Sequence, residues 1–321
     1  IPLKEFSYYL SRRGAEIAYE AREEYKKSPQ YDGRDLFIFG SIGPSNFFLT
    51  YSQAGLKQGS FEQIRENFYI QAKGLIDGGA DVLLFETQQD VLELKAGILG
   101  AREAMRERGK TLPIIAQVTV DQFARMQIFN VDILSALVSI EAMNVDVFGI
   151  NCSIGPDLME PAIEKMSRYA HIPLSVVPNA GLPESEGGKT VFKFEPKRFA
   201  EILEYLTLTY GINIVGGCCG TTPEHISELA KRLKNRKPKA RGPEKKTFIA
   251  GVQKAVELDA SRSLIRIGER LNVRGSKKVR EAVENDTGID MDTLESIAHE
   301  QIDDLGCEII DVCMDSNQVN T

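Results

Sequence analysis

A parallel α/β barrel, followed by the opening of a second α/β domain, is the fold class that three features of this 321-residue sequence predict. Short apolar runs alternate with amphipathic helical stretches from Leu36 to Leu233. The runs are continuously apolar, as in Val82-Leu83-Leu84-Phe85, which suits a parallel sheet covered on both faces. Each run ends in a polar or glycine-containing tip, and the next helix follows. A doubly wound sheet and a barrel both satisfy this pattern. Six strands are counted up to Gly217, the chain begins on a helix, and a (β/α)8 barrel needs eight. The reading is an α/β fold: a TIM-type barrel lacking its first two strands, with an N-terminus cut before Ile1.

Each element has its own signal. Leu3, Phe6, Leu10, Ile17 and Ala21 recur at helical spacing, so the chain opens on an amphipathic helix. Ser28-Pro29 and Asp32-Gly33 break it. Leu36 to Ile42 reads as a strand, and a loop with Tyr51, Gly55 and Gly59 follows. Ser60 caps a helix carrying Phe61, Ile64, Phe68, Ala72 and Leu75. Strands are then expected at 81–86, 113–120, 146–152, 174–179 and 212–217. Their helices are expected at 91–106, 133–143, 156–169, 196–210 and 223–233. The last helix has Thr222 as N-cap and Pro223 in its first position.

Lys231 to Lys246 is basic and bears Pro238, Gly242 and Pro243, the composition of a solvated linker. Beyond it, a strand at 264–267 leads into Gly268-Glu269-Arg270-Leu271-Asn272. One or two helices cover 277–305, and 308–312 reads as another strand. The domains are therefore set at 1–235 and 263–321, with a linker at 236–262. By count alone, the two tail strands can instead complete the first barrel.

Composition narrows the class of function. Hydrophobic residues are 42%, charged residues 26% and the net charge is −7, which gives no general reason to expect nucleic-acid binding. No apolar run is long enough to span a bilayer, and no signal-like start is present. Five cysteines, an odd count without a secreted spacing pattern, read as reduced cytosolic thiols.

Ligands of parallel α/β folds bind at the carboxyl ends of the strands. There stand Ser41, Glu86-Thr87, Thr119-Val120-Asp121, Asn151-Cys152-Ser153, Asn179-Ala180-Gly181 and Gly217-Cys218-Cys219-Gly220. Numbered as strands 3 to 8 of a barrel, the cysteine-bearing tips fall on strands 6 and 8, whose side chains share a layer. Cys152, Cys218 and Cys219 can then converge, and three thiolates suit Zn2+ with one position left open. Each cysteine taken alone is equally a small buried hydrophobe, and Cys307 reads as core. Redox use and, from Gly216-Gly217 before a helix, a phosphate cradle also stay open. Glu86 can hold an ammonium group or complement a helix dipole, and Asn179 can contact a ligand or form a turn.

Gly216-Gly217-Cys218-Cys219-Gly220-Thr221-Thr222-Pro223-Glu224-His225 resembles the zinc motif of the homocysteine S-methyltransferase family. Gly149-Ile150-Asn151-Cys152-Ser153, Phe85-Glu86-Thr87 with Glu93-Leu94-Lys95-Ala96, and Pro178-Asn179-Ala180-Gly181 fit that family as well. Ile267-Gly268-Glu269-Arg270-Leu271-Asn272 and Ile309-Ile310-Asp311-Val312 look like the opening strands of a pterin-binding barrel. The combination resembles the cobalamin-dependent methionine synthase group. The resemblance implies a cytoplasmic methyltransferase making methionine from homocysteine, with methylcobalamin as donor and 5-methyltetrahydrofolate recharging it. It implies a cobalamin-binding domain as partner, and neither nucleic acid nor membrane. Cys152, Cys218 and Cys219 would be zinc ligands, Glu86 and Asn179 substrate residues, and Asn272 and Asp311 folate residues. Another methyl donor, or an inactive zinc-binding fragment, are the alternatives. Two departures stand out. The family's Asp-Gly turn and Asn-Thr-Phe segment do not precede the first strand, and Cys313 stands where the pattern has Asn.

Overall fold

The apolar runs become strands and the amphipathic stretches become helices in a computed structural model, which describes residues 3–50, 59–259, 261, 264–285 and 288–314. Tyr51 and Gly55 of the expected loop lie outside these. The chain begins α1 (Leu3–Tyr25), β1 (Phe39–Ile42), α2 (Phe61–Asp77), β2 (Val82–Gln88), α3 (Val91–Arg108) and β3 (Ile114–Val118). A small hairpin, β4 (Arg125–Met126) and β5 (Val131–Asp132), precedes α4 (Ile133–Glu141), β6 (Val147–Asn151), α5 (Glu160–Tyr169) and β7 (Leu174–Val177). A second hairpin, β8 (Glu184–Glu186) and β9 (Lys189–Val191), precedes α6 (Pro196–Tyr210), β10 (Ile214–Val215) and α7 (Pro223–Leu233). Then come β11 (Phe248–Ala250), β12 (Ala255–Glu257), β13 (Ile267–Asn272), α8 (Lys277–Val283), α9 (Met291–His299) and β14 (Ile309–Cys313).

The chain divides into two compact units. The first reaches to Lys245 and takes in Ala250–Ala255; the second holds Lys246–Ile249 and continues from Val256. In the first, six parallel strands run in the order β1-β2-β3-β6-β7-β10. A doubly wound sheet reverses its strand order at a switch point. Here the order never reverses, so the sheet is a curled half-barrel.

Helices cover one face. Leu83, Phe85, Phe148, Leu174 and Phe199 are buried there, with Phe85 edge-on to Phe68. The opposite face carries a smaller cluster of Val82, Ile115 and Val147, with Leu84 and Ile214 against it. Side chains alternate along a strand, so Glu86 shares this second face with Val82 and Leu84. The caps are as expected: Ser60 and Gln63 form a capping box on α2, and Thr222 is the N-cap of α7.

Several expectations change. The predicted apolar stripe of α1 faces outward, with Phe6, Leu10 and Ile17 about half exposed. Its packed side is Tyr8, Ser11, Arg12 and Ala15, against Gly74 and Gly78 of α2. The stretch after Lys231 is not free: Arg241 donates to the carbonyls of Ala170 and Ile172, and Glu244 pairs with Arg168. The strand placed at 264–267 starts at Ile267 instead and runs to Asn272. Leu264 is 91% exposed, outside any core. In the second unit β13 pairs in parallel with β14 in a sheet of their own, so the tail does not complete the first barrel. The expected one or two helices are α8 and α9, which pack Val279, Val283, Leu294 and Ile297 against Leu271 of β13. Among the described residues no helix is long and apolar enough to cross a membrane.

Candidate functional site

The three cysteines meet because β7 lies between β6 and β10, and both flanking chains cling to its extension. Beyond β6, the Cys152 N–H donates to the Val177 carbonyl at 3.0 Å. Beyond β10, the Cys218 N–H donates to the Pro178 carbonyl at 2.7 Å, and the Cys219 carbonyl accepts the Ala180 N–H at 2.8 Å. Cys152 and Ser153 both take left-handed conformations, with φ of 62°, which turns the chain sharply at the strand end. Gly149 makes the approach of β6 to β7 possible, since a Cβ there would lie 2.2 Å from the Ser175 carbonyl oxygen. The bare position also lets Gln117 reach over it and donate to the Ser175 hydroxyl at 2.7 Å.

Cys152 and Cys219 sulfurs are 3.8 Å apart, Cys218 and Cys219 sulfurs 3.9 Å, and all three lie within 4.8 Å of one another. A tetrahedral ion with metal–sulfur bonds of about 2.3 Å places its sulfurs roughly 3.8 Å apart. The spacing therefore fits one ion bound to three sulfurs. Cys152 and Cys218 are half-buried and Cys219 is exposed, so a fourth position opens outward.

The electrostatics point the same way. A hydrogen bond from the Cys218 thiol, with further ones from the Ser153 N–H, the Cys219 thiol and the Asn179 amide, holds Cys152 down to about 5. The same bond to Cys152, then burial, pushes Cys218 up; burial, then the Cys152 charge, pushes Cys219 up. Three thiolates at this separation require a positive ion among them.

Buried amides frame the sulfurs. Asn179, 3% exposed, accepts the Cys219 N–H on Oδ1 at 3.1 Å as well as donating to Cys152. Asn151 is fully buried beside Cys218, and its amide also binds Thr87. Glu86 precedes Thr87 on β2 and accepts a hydrogen bond from the Ser41 hydroxyl. His225, also buried, accepts the Thr222 N–H on Nδ1 and contacts the Phe194 carbonyl through Nε2 at 2.8 Å. That ties the start of α7 to the chain returning from the β8–β9 hairpin.

In the second unit Asn272 lies at the carboxyl end of β13, whereas Asp311 lies in the middle of β14. The Asn272 side chain closes a local turn, accepting the Arg274 and Gly275 N–H groups, and Asp311 is exposed. Cys307 is half-buried rather than core. Sequence reasoning passed over Asn151, Thr87 and His225 as functional neighbours. The available signal was their place beside Cys152, Glu86 and the paired cysteines.

The family model for homocysteine S-methyltransferase matches residues 2–233. Methionine synthase of Mycobacterium tuberculosis is 37% identical over 306 residues, 95% of this chain and 24% of that protein. Methionine synthase of Mycobacterium leprae is 35% identical over 311 residues, again 95% of this chain and 25% of that protein. The chain thus spans about a quarter of the length of these curated relatives. The homocysteine methyltransferase MmuM from Escherichia coli has the same fold. Its apo form superposes with a TM-score of 0.54 at 24% identity, covering 71% of this chain and 75% of that one. Its metallated form gives 0.55 at 23% identity, covering 71% and 72%. With the family match extending over most of its length, the chain belongs to the homocysteine S-methyltransferase family.

Proposed function

We propose that Cys152, Cys218 and Cys219 hold Zn2+ and that the thiol of homocysteine takes the remaining position, where it accepts a methyl group and becomes methionine. The observation that carries this is the sulfur triangle, spaced for one tetrahedral ion and open on the Cys219 side. Bound there, zinc would keep the substrate sulfur deprotonated at neutral pH yet nucleophilic, because three thiolate ligands already neutralise its charge.

The chain's own groups do the rest. Asn179 holds Cys152 and Cys219 in place through its amide. Glu86, on the face of β2 opposite the helices, receives the ammonium group of the amino acid, with Ser41 fixing its carboxylate. The open side of the sulfur triangle leaves room for the donor to approach the substrate sulfur.

In the whole protein the donor is methylcobalamin, recharged by 5-methyltetrahydrofolate and carried by a cobalamin-binding domain. The support is that two methionine synthases match 95% of this chain, second unit included. On this reading residues 263–321 begin a pterin-binding barrel in which Asn272 and Asp311 face folate. The place of Asn272 at the carboxyl end of β13, paired in parallel with the strand that carries Asp311, is in keeping with that. Unpaired thiols at all five cysteines suit a cytoplasmic protein.

Cys218→Ala tests the site. Elemental analysis of the purified variant should find zinc lost, and homocysteine titrated into it should release no heat or proton. A variant that keeps a tightly bound zinc would overturn the assignment.

A further inference from the structure

We propose that Asn151 is a positioning residue that couples occupancy of the metal site to the arm that holds the substrate's ammonium group. The inference rests on the reading of the sulfur triangle as a zinc site and of Glu86 as the ammonium partner.

The register of β2 against β3 jumps from Phe85↔Ala116 to Gln88↔Val118, so β2 bulges at Glu86 and Thr87. Thr87 sits at φ 59°, a conformation that β-branched residues avoid. The bulge sets the direction of Glu86, and something must hold it. Asn151 does: its Oδ1 accepts the Thr87 N–H at 2.7 Å, and its Nδ2 donates to the Thr87 hydroxyl at 2.9 Å. The same Nδ2 lies 3.9 Å from the Cys218 sulfur. One rigid, fully buried carboxamide thus touches both a metal-ligand sulfur and the bulge beside Glu86.

A sulfur that ligates a metal is a strong acceptor, so with the site filled the second Nδ2 hydrogen would lie on Cys218 and hold the amide in the orientation that grips Thr87. Glu86 is then set for the ammonium group. Linkage makes the effect reciprocal: an occupied ammonium arm tightens the hold on the metal.

Two variants test this on the present chain. Asn151→Asp can still accept from the Thr87 N–H and hydroxyl, but loses the hydrogen facing Cys218. Thr87→Gly relieves the positive φ and removes the hydroxyl, so it folds without strain. Zinc affinity is read by competition with a chromophoric chelator, and site geometry by the sulfur-to-cobalt charge-transfer band after Co2+ substitution. Ammonium recognition is the affinity ratio of homocysteine to 4-mercaptobutanoate, which lacks the amino group.

For Asn151→Asp, zinc affinity should fall about tenfold or more and the cobalt band should shift, while the affinity ratio, with Thr87 still held, stays within about twofold. For Thr87→Gly, substrate-free zinc affinity should stay within about twofold while the ratio collapses. Unchanged zinc affinity in Asn151→Asp, or a preserved ratio in Thr87→Gly, overturns the coupling. Failure of the underlying reading shows instead in the unmutated chain, as no zinc bound or no preference for the amino thiol, and removes the coupling with it.

Discussion

Gly220→Ala is the sharpest probe of how the cysteine turn is built. Gly220 has φ of 75°, where an L side chain costs about 1–2 kcal/mol. A Cβ there would also lie 2.2 Å from Cγ of Phe192, far inside contact distance. Relieving such an overlap costs typically ~1–3 kcal/mol. Together the destabilisation is about 2–5 kcal/mol, nearer the high end because the Phe192 Cβ would also lie 2.4 Å away, an overlap that turning the ring does not relieve. The chain leaving the β8–β9 hairpin must then lift off the turn that carries Cys218 and Cys219. Gly216→Ala is the control: its Cβ would meet only Val177 methyl groups at 3.8 and 3.9 Å, ordinary contact, and its φ is not positive. Urea unfolding followed by circular dichroism measures the stability of both variants, and chelator competition measures zinc affinity. Gly220→Ala should lose in both assays and Gly216→Ala in neither. Equal behaviour of the two variants would refute the steric argument.

Two further predictions concern buried groups. Burial pushes the Glu93 carboxyl from its ordinary 4.5 up to about 7, against the pull of the Ser45 N–H it accepts. A carboxyl raised on folding stabilises fully below its unfolded pKa and loses that contribution as pH rises through the folded one. The native chain should therefore lose roughly 3 kcal/mol between about pH 4.5 and 7 that Glu93→Gln does not lose. Parallel stability–pH curves for the two proteins would refute it. His225→Ala strips partners from the Phe194 carbonyl and the Thr222 N–H; Thr222 is exposed and water can replace the imidazole there, so the cost is about 1–3 kcal/mol for the carbonyl alone. Amide exchange over residues 184–194 should accelerate, and unchanged protection there would show that His225 does not fasten the strap.

The parallel sheet was legible because β2, β3, β6 and β7 are apolar on both faces, and only a doubly covered sheet makes such runs. The tips followed from topology, and with them the convergence of Cys152, Cys218 and Cys219. The hairpins β4–β5 and β8–β9 were not legible: two or three residues per strand leave no periodicity to detect. β10 shrank to Ile214–Val215 because the chain beyond it bonds to β7 irregularly, through Cys218 and Cys219. The outward face of α1 misled for another reason. Periodic apolar residues signal a helix, but they do not say which face a neighbour covers, and here two glycines of α2 chose the other side.

What remained hidden shares one physical character. Thr87, Cys152 and Ser153 take left-handed conformations without being glycine, so no residue type announces them. All three stand at strand ends around the sulfurs, and Thr87 and Cys152 are held by contacts distant in sequence. Asn151 grips Thr87 across 64 positions, and Cys152 is held by the Val177 carbonyl and the Asn179 amide. Strain of this kind persists only where surrounding groups over-determine it. The buried asparagines are those groups, and neither can be moved to relieve strain without moving a sulfur. Substitutions at Asn151 and Asn179 should therefore disturb metal geometry before they disturb the fold, whereas substitutions at Phe85 or Phe148, deep in the helix-covered core, should do the reverse.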